Sequence, residues 1–131
     1  MIASVSIPAR AGTWPLEKAR AGAEKGDAEA EYQLANLYYF ACGVPQDYER
    51  AFQLYKKAAE QGHGAAASNL GGIYVEGRGM LPNRAEALYW FHRAVKSGNA
   101  VAKQNIYWMQ AYGDTVPQNT EEALKWCEKH S

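Results

Sequence analysis

The sequence predicts an all-α protein in which antiparallel helix pairs stack into an α-solenoid. When residues 27–62, 63–98 and 99–131 are aligned without gaps, the same residue types share columns 36 positions apart. A fixed period of this length is typical of stacked supersecondary units, each of which buries its apolar face against its neighbours. The columns that carry the period are Ala30/Ala66/Ala102, Leu34/Leu70/Ile106, Ala51/Ala87/Ala123, Leu54/Trp90/Trp126 and Gly26/Gly62/Gly98.

Each unit is predicted to contain two helices. In the first unit, apolar residues recur at helical spacing from Ala30 to Ala41 and again from Ala51 to Ala59. Glycine and proline, which do not sustain a helix, lie between the two stripes. These breaks fall at residues 43–45, 77–82 and 113–117.

Capping signals place the ends of the second helix. Asp47, Asn83 and Asn119 share one column at the expected helix start, where a side-chain oxygen accepts from a free backbone N–H. Gly62 and Gly98 follow the predicted last turn and suit the left-handed conformation that ends many helices. The predicted second helices therefore begin after the Asp/Asn column and end before the glycine column.

The whole chain, 1–131, is predicted to be one repeat domain. Its 131 residues and 47% apolar content are enough for a continuous helical core. We divide it into an N-terminal segment with a degenerate half repeat, two complete units and a truncated third unit. Their bounds are 1–26, 27–62, 63–98 and 99–131.

These residues resemble the Sel1-like repeat, a relative of the tetratricopeptide repeat. The resemblance covers about two and a half units and is weakest in the third, where Tyr107 stands at a small-residue position and Gln110 replaces the tyrosine of Tyr38 and Tyr74. It implies a right-handed α-solenoid used for protein recognition, in bacterial settings such as envelope assembly, host interaction or toxin immunity. The first-unit residues that match are Ala30, Leu34, Tyr38, Gly43, Val44, Asp47, Ala51, Tyr55, Ala58, Ala59 and Gly62.

Charge and hydropathy exclude several classes of partner. Fourteen basic and fourteen acidic residues cancel, so no electrostatic footprint for nucleic acid or an anionic membrane is present. No apolar run has the length of a membrane span. The protein is expected to be cytoplasmic if Met1 is the native start, and periplasmic or secreted if a leader was removed. Cys42 and Cys127 lie in different parts of the repeat, and we expect them to stay unpaired.

The sequence carries no enzyme signature. His63, His92 and His130 occupy three different repeat positions, so no metal site is expected, and no phosphate-binding loop or nucleophile elbow occurs. We therefore predict neither catalytic residues nor a cofactor. The resemblance also implies a less favoured alternative, a hydrolase similar to β-lactamases, but the chain has no Ser-x-x-Lys motif.

Function is predicted on the first helix of each unit, which by similarity to tetratricopeptide arrays lines the concave surface. Aromatic and polar residues recur on this helix at the spacing i, i+4 and i+7/8. They lie on a face separate from the apolar residues that form the core. Aromatic side chains on such a face favour a groove that holds a segment of a partner protein, and Asn36 and Gln104 are candidates to hydrogen bond to its backbone. The alternative is that Tyr39 and Phe40 pack against the adjacent helix and that Trp108 covers the end of the array. The predicted partner-binding residues are Tyr32, Asn36, Tyr39, Phe40, Gln104, Trp108 and Tyr112.

The C-terminal end supports a second hypothesis, a structural or assembly role. Solenoids need polar terminal caps, yet the last predicted helix carries Leu124, Trp126 and Cys127. An end-to-end homodimer, a continuation of the protein, a docked partner, or the apolar residues of the N-terminal segment would bury this face.

Overall fold

A computed structural model describes residues 16–113, which contain six α-helices and no strand. None of these helices is long and apolar enough to cross a membrane. The helices are α1 (Leu16–Glu24), α2 (Ala28–Phe40), α3 (Tyr48–Glu60), α4 (Gly64–Glu76), α5 (Arg84–Lys96) and α6 (Ala100–Tyr112).

The helices pair in the order that the repeat predicts. Helices α2 and α3 form the first unit, α4 and α5 form the second, and each helix packs against the next one along the chain. Helix α1 takes the place of the second helix of a preceding half unit, and α6 is the first helix of the third unit. The all-α solenoid is therefore confirmed. The predicted last helix, with Asn119, lies outside the described residues.

Side-chain caps set the helix starts. Asp47 Oδ1 accepts from Arg50 N at 3.0 Å, and Asn83 Oδ1 accepts from Glu86 N at 3.1 Å, so the predicted N-caps of α3 and α5 are confirmed. The first helices also have a capping column, which the sequence analysis did not assign. Its members are Asp27, His63 and Asn99, and each accepts from a backbone N–H of its helix.

Alanine allows the helices to approach closely in the core. Ala51, Ala58, Ala87 and Ala94 are all fully buried, beside large side chains that are also fully buried. The large residues fill the space that the small ones leave, which is how close packing reaches the density of a protein interior. Added volume at these alanines must therefore displace a neighbour.

Gly71 in α4 belongs to the same packing. A Cβ built on it would lie 2.6 Å from the ring of Phe91, which is 0% exposed. The absence of a side chain at this position is what lets α5 place its phenylalanine against α4.

Cys42 departs from the expectation drawn from the sequence. Its side chain is 1% exposed and is disulfide-bonded. The expectation that the cysteines stay unpaired is therefore wrong for Cys42. The chain has one other cysteine, Cys127, which lies outside the described residues.

Glu31 is a buried carboxylate in α2. Glu31 is 3% exposed, and Gln61 Nε2 donates to Glu31 Oε1 at 2.8 Å. Burial raises the pKa of Glu31 above its ordinary value of 4.5, and this outweighs the lowering by Lys57 and by the Gln61 hydrogen bond. Because the folded state favours the protonated form, the contribution of Glu31 to stability is fully present below its unfolded pKa and is lost as the pH rises through its folded pKa.

Glu31→Gln is therefore expected to raise the free energy of unfolding at pH 7, since glutamine keeps an acceptor for Gln61 and removes the buried charge. The gain should vanish below about pH 4, where Glu31 is protonated in both states. Urea unfolding at the two pH values measures it, with the exposed Glu60→Gln as control. An equal gain at both pH values would contradict the role of the buried charge.

Candidate functional site

The first helices α2, α4 and α6 carry the columns predicted to meet a partner. We call these columns, at positions 32, 36, 39 and 40 and their equivalents 36 and 72 residues on, the groove face. Gly72 lies in its centre, in the column between Asn36 and Trp108. Apart from its chain neighbours and the nearby backbone of α4, no described atom would lie within 4 Å of a Cβ built on Gly72, so the surface is open there. Gly72 thus leaves a gap in the middle of the face, whereas the adjacent Gly71 fits a ring.

Aromatic rings cluster at the end of α2. The ring of Tyr39 lies edge-on to Phe40 at 5.1 Å and to the buried Tyr55 at 6.1 Å, and is tilted against Tyr48 of α3 at 5.2 Å. Burial, assisted by the charge of Glu76, raises the pKa of Tyr39 to about 12. Tyr39 and Phe40 are partly buried against the core. They therefore form one wall of the groove face and also contribute to packing.

An ion pair adjoins this wall. Arg78 Nε donates to Glu76 Oε1 at 2.8 Å, and Arg78 Nη1 donates to the Tyr48 hydroxyl at 2.9 Å. The hydrogen bond with Glu76 is the main reason that the pKa of Arg78 is raised further. The guanidinium also lies over the Tyr48 ring, 5.6 Å from its centroid. The charges of Arg78 and Glu76 neutralise each other, so this edge of the groove face is polar but carries no net charge.

The second wall lies on α6. The rings of Trp108 and Tyr112 are 4.6 Å apart with an interplanar angle of 34°, one helical turn apart on the same face. Trp108 is partly exposed, Tyr112 is 61% exposed and Gln104 is exposed one turn before them. The structure therefore brings the three predicted residues of α6 together on one accessible strip.

Asn36 is placed beneath the groove face instead of on it. It is 1% exposed, and its Oδ1 accepts from the Tyr55 hydroxyl and, at 3.3 Å, from Asn69 Nδ2. Its Nδ2 is buried and has no acceptor among the described residues. A side chain in this position links α2, α3 and α4, and it does not reach a partner directly as the sequence analysis expected.

Tyr32 is held at the boundary between the first two units. Its ring stacks on His63 with centroids 4.6 Å apart and lies tilted against Tyr55 at 6.2 Å. His63 Nδ1 accepts from Ala66 N at 3.1 Å, and its Nε2 donates to Glu29 Oε1 at 2.7 Å. Tyr32 therefore lies in a fixed position at the edge of the groove face.

Three residues near the site were missed by the prediction of site residues. Tyr48 and Asn69 contact predicted residues directly, and Arg78 reaches them through Tyr48. Asn69 shares a column with Gln33 and Asn105, and this run of three amides is a signal in the sequence. Arg78 lies in the break after α4, where the residue types of the three units do not agree.

Stacked helix pairs in a continuous array define a helical-repeat solenoid. The Sel1 repeat family model matches this chain at residues 28–63, 64–99 and 101–129. The chain therefore belongs to the Sel1 repeat family, as the resemblance predicted. Repeats of this family commonly mediate protein–protein interaction and are typically non-catalytic scaffolds.

Two solved structures show the same architecture. A crystal structure of a protective antigen present in uropathogenic Escherichia coli strains, which displays an SLR fold, is 31% identical with a TM-score of 0.73. That match covers 85% of this chain and 24% of the antigen. A Sel1 repeat protein from Oxalobacter formigenes is 33% identical with a TM-score of 0.69, covering 88% of this chain and 47% of the other. This chain thus spans less than half the length of either. No curated protein matches it.

Proposed function

We propose that this chain is a non-enzymatic interaction module that holds an extended segment of a partner protein on the groove face. The observation that carries the proposal is the open surface over Gly72, in the column between Asn36 and Trp108. A glycine allows another backbone to approach a helix closely, because no side chain intervenes.

The walls of the groove face support this proposal. An aromatic side chain offers about 150–250 Å² of contact area, and rings of this kind dominate the binding energy of protein interfaces. Trp108 and Tyr112 remain accessible, and the ring of Tyr39 is packed against Tyr48 at the other side of the groove face. Family membership adds a protein partner as the expected kind of ligand.

Charge contributes little to the recognition that we propose. Glu76 and Arg78 neutralise each other at the rim, and the chain has no net charge. We therefore expect the partner segment to be recognised by apolar or aromatic side chains and by its backbone, with Gln104 as an exposed amide donor and acceptor.

Trp108→Ala is expected to abolish retention of the partner, while Tyr107→Ala leaves it unchanged. The two residues are adjacent in α6, but Tyr107 lies outside the groove columns and is 60% exposed. Affinity capture from a lysate of the native host, followed by isothermal titration with the recovered protein, measures the difference. Circular dichroism shows that both variants are folded. Equal loss in both variants, or loss in Tyr107→Ala alone, would move the site off the groove face.

Tyr39 is a less suitable probe than Trp108. Because its ring contacts Phe40, Tyr48 and Tyr55, its removal changes stability as well as surface. Tyr39→Phe keeps the ring packing and removes only the hydroxyl.

The assembly hypothesis depends on the last predicted helix, which lies outside the described residues. Nothing in residues 16–113 supports homodimerisation.

A further inference from the structure

A cleft of about 320 Å³ lies between α1 and α3, with α2 at its base. We call it the α1–α3 cleft. Leu34 and Leu54 supply apolar lining, and Tyr38, which is 6% exposed, supplies a hydroxyl. Its volume falls at the lower end of the range of small-ligand pockets, about 300–1,000 Å³. None of its lining residues belongs to the groove face.

The charges that line the α1–α3 cleft are unbalanced. Arg20, Arg50 and Lys57 line it together with one carboxylate, that of Glu24. Within residues 16–113, none of the three cations of the cleft forms an ion pair with a carboxylate. Cations that lie together without an ion-paired carboxylate among the described residues favour an anion from solution.

Tyr38 shows how these cations act on the cleft. Arg50 Nη1 donates to the Tyr38 hydroxyl at 2.8 Å, and the guanidinium carbon lies 5.3 Å from the ring centroid. Burial raises the pKa of Tyr38, but hydrogen bonds from Arg50 and Arg20 and their positive charges outweigh it and leave the pKa below its ordinary value. The cleft therefore already stabilises negative charge at one oxygen atom.

The next repeat provides an internal comparison. One repeat on, Tyr38 corresponds to Tyr74 and Arg50 corresponds to Glu86. Burial, together with the negative charge of Glu86, raises the pKa of Tyr74. The same framework position therefore has opposite electrostatics in the two units. The core packing of the repeat does not require a cation at position 50, because the second unit folds with a carboxylate there.

We propose that the α1–α3 cleft binds a single oxyanion group, a carboxylate or a phosphate, through Arg20, Arg50 and Lys57. Guanidinium groups present planar pairs of donors that match both kinds of oxyanion, and the lysine adds a point charge. The Tyr38 hydroxyl accepts from Arg50 and keeps its own proton to donate to the ligand. This site is separate from the groove face. It would let the protein recognise an oxyanion in addition to the partner segment held on the groove face.

The test is a ¹H–¹⁵N NMR titration of the protein with inorganic phosphate and, separately, with acetate, at constant ionic strength. Saturable shifts are expected for amides of α1, α2 and α3 around the cleft, with a Kd of about a millimolar for so small a probe. Tighter binding of phosphate would indicate a phosphorylated ligand, and equal or tighter binding of acetate would indicate a carboxylate.

Arg50→Glu is the decisive variant, because it copies the residue that the second unit carries at the same position. A glutamate in the first turn of a helix is compatible with the helix dipole, so the variant is expected to fold. It should weaken binding at least ten-fold, whereas the matched Arg93→Glu, which lies outside the lining of the cleft, should change it less than two-fold. Arg20→Gln with Lys57→Gln provides a second test, and should also weaken binding. Shifts that do not saturate with either anion, or equal binding by Arg50→Glu, would overturn the proposal.

Discussion

Gly71→Ala and Gly72→Ala are expected to change stability in opposite directions, although the two glycines are neighbours in α4. A methyl group on Gly71 would overlap the ring of Phe91, which is fully buried, so the ring or a helix must shift. Such overpacking costs about 1–3 kcal/mol. A methyl group on Gly72 meets no described atom, and replacing glycine by alanine inside a helix stabilises it by about 0.5–1 kcal/mol.

Thermal and urea unfolding of the two variants measure the effect directly. For a domain of this size, about 1 kcal/mol moves the Tm by several degrees, so the two melting curves should fall on opposite sides of the wild type. The gain in helix propensity is common to both variants, and their difference therefore isolates the contact with Phe91. Two variants that are both more stable than the wild type would show that α4 and α5 are not packed as described.

Ala58→Leu is expected to destabilise the fold by about 3 kcal/mol, at the upper end of the usual cost of overpacking. Ala58 is 0% exposed in α3 and belongs to the buried core cluster. The three added carbons have no space unless the neighbouring helices separate. Because the array is held together by contacts between successive helices, such a separation weakens the whole fold.

Urea unfolding of Ala58→Leu measures this cost, with Lys56→Leu as the matched control. Lys56 lies two residues earlier in the same helix and is exposed, so leucine there changes helix propensity little and displaces nothing. Partner binding should decrease in Ala58→Leu only to the extent that the protein unfolds. Full stability in Ala58→Leu would contradict the close approach of helices at the alanine columns.

The repeat fold could be predicted from the sequence because the same local signals recur in each unit. The alanine columns, the Asp47 and Asn83 caps and the glycines after each second helix are local signals, and comparison of three units separates them from coincidence. Gly62 and Gly98 adopt φ values of 93° and 88°, where a residue with a side chain is strained. The observed helix pairs follow these signals.

The candidate site was less predictable because burial depends on residues far apart in sequence. The i, i+4 spacing places Asn36 on the same face as Tyr32. The spacing does not show that the Tyr55 hydroxyl and Asn69 hydrogen bond to the amide of Asn36. In the same way, the ring contact of Tyr48 with Tyr39 and the hydrogen bond of its hydroxyl with Arg78 join three elements across two breaks. The prediction that Gln104, Trp108 and Tyr112 share one face required only the period of a helix, and these residues do lie along one strip.

His63 has a consequence for how this protein unfolds. The residue opens the second unit and caps α4, yet its ring and Nε2 contact Tyr32 and Glu29 of the first unit. A repeat array unfolds as one cooperative transition only while the coupling between neighbouring units exceeds the instability of a single unit. Because one side chain serves both the start of a helix and the contact across the boundary, loss of order in either unit removes support from the other. The contacts of His63 therefore couple the start of α4 to the first unit at this junction.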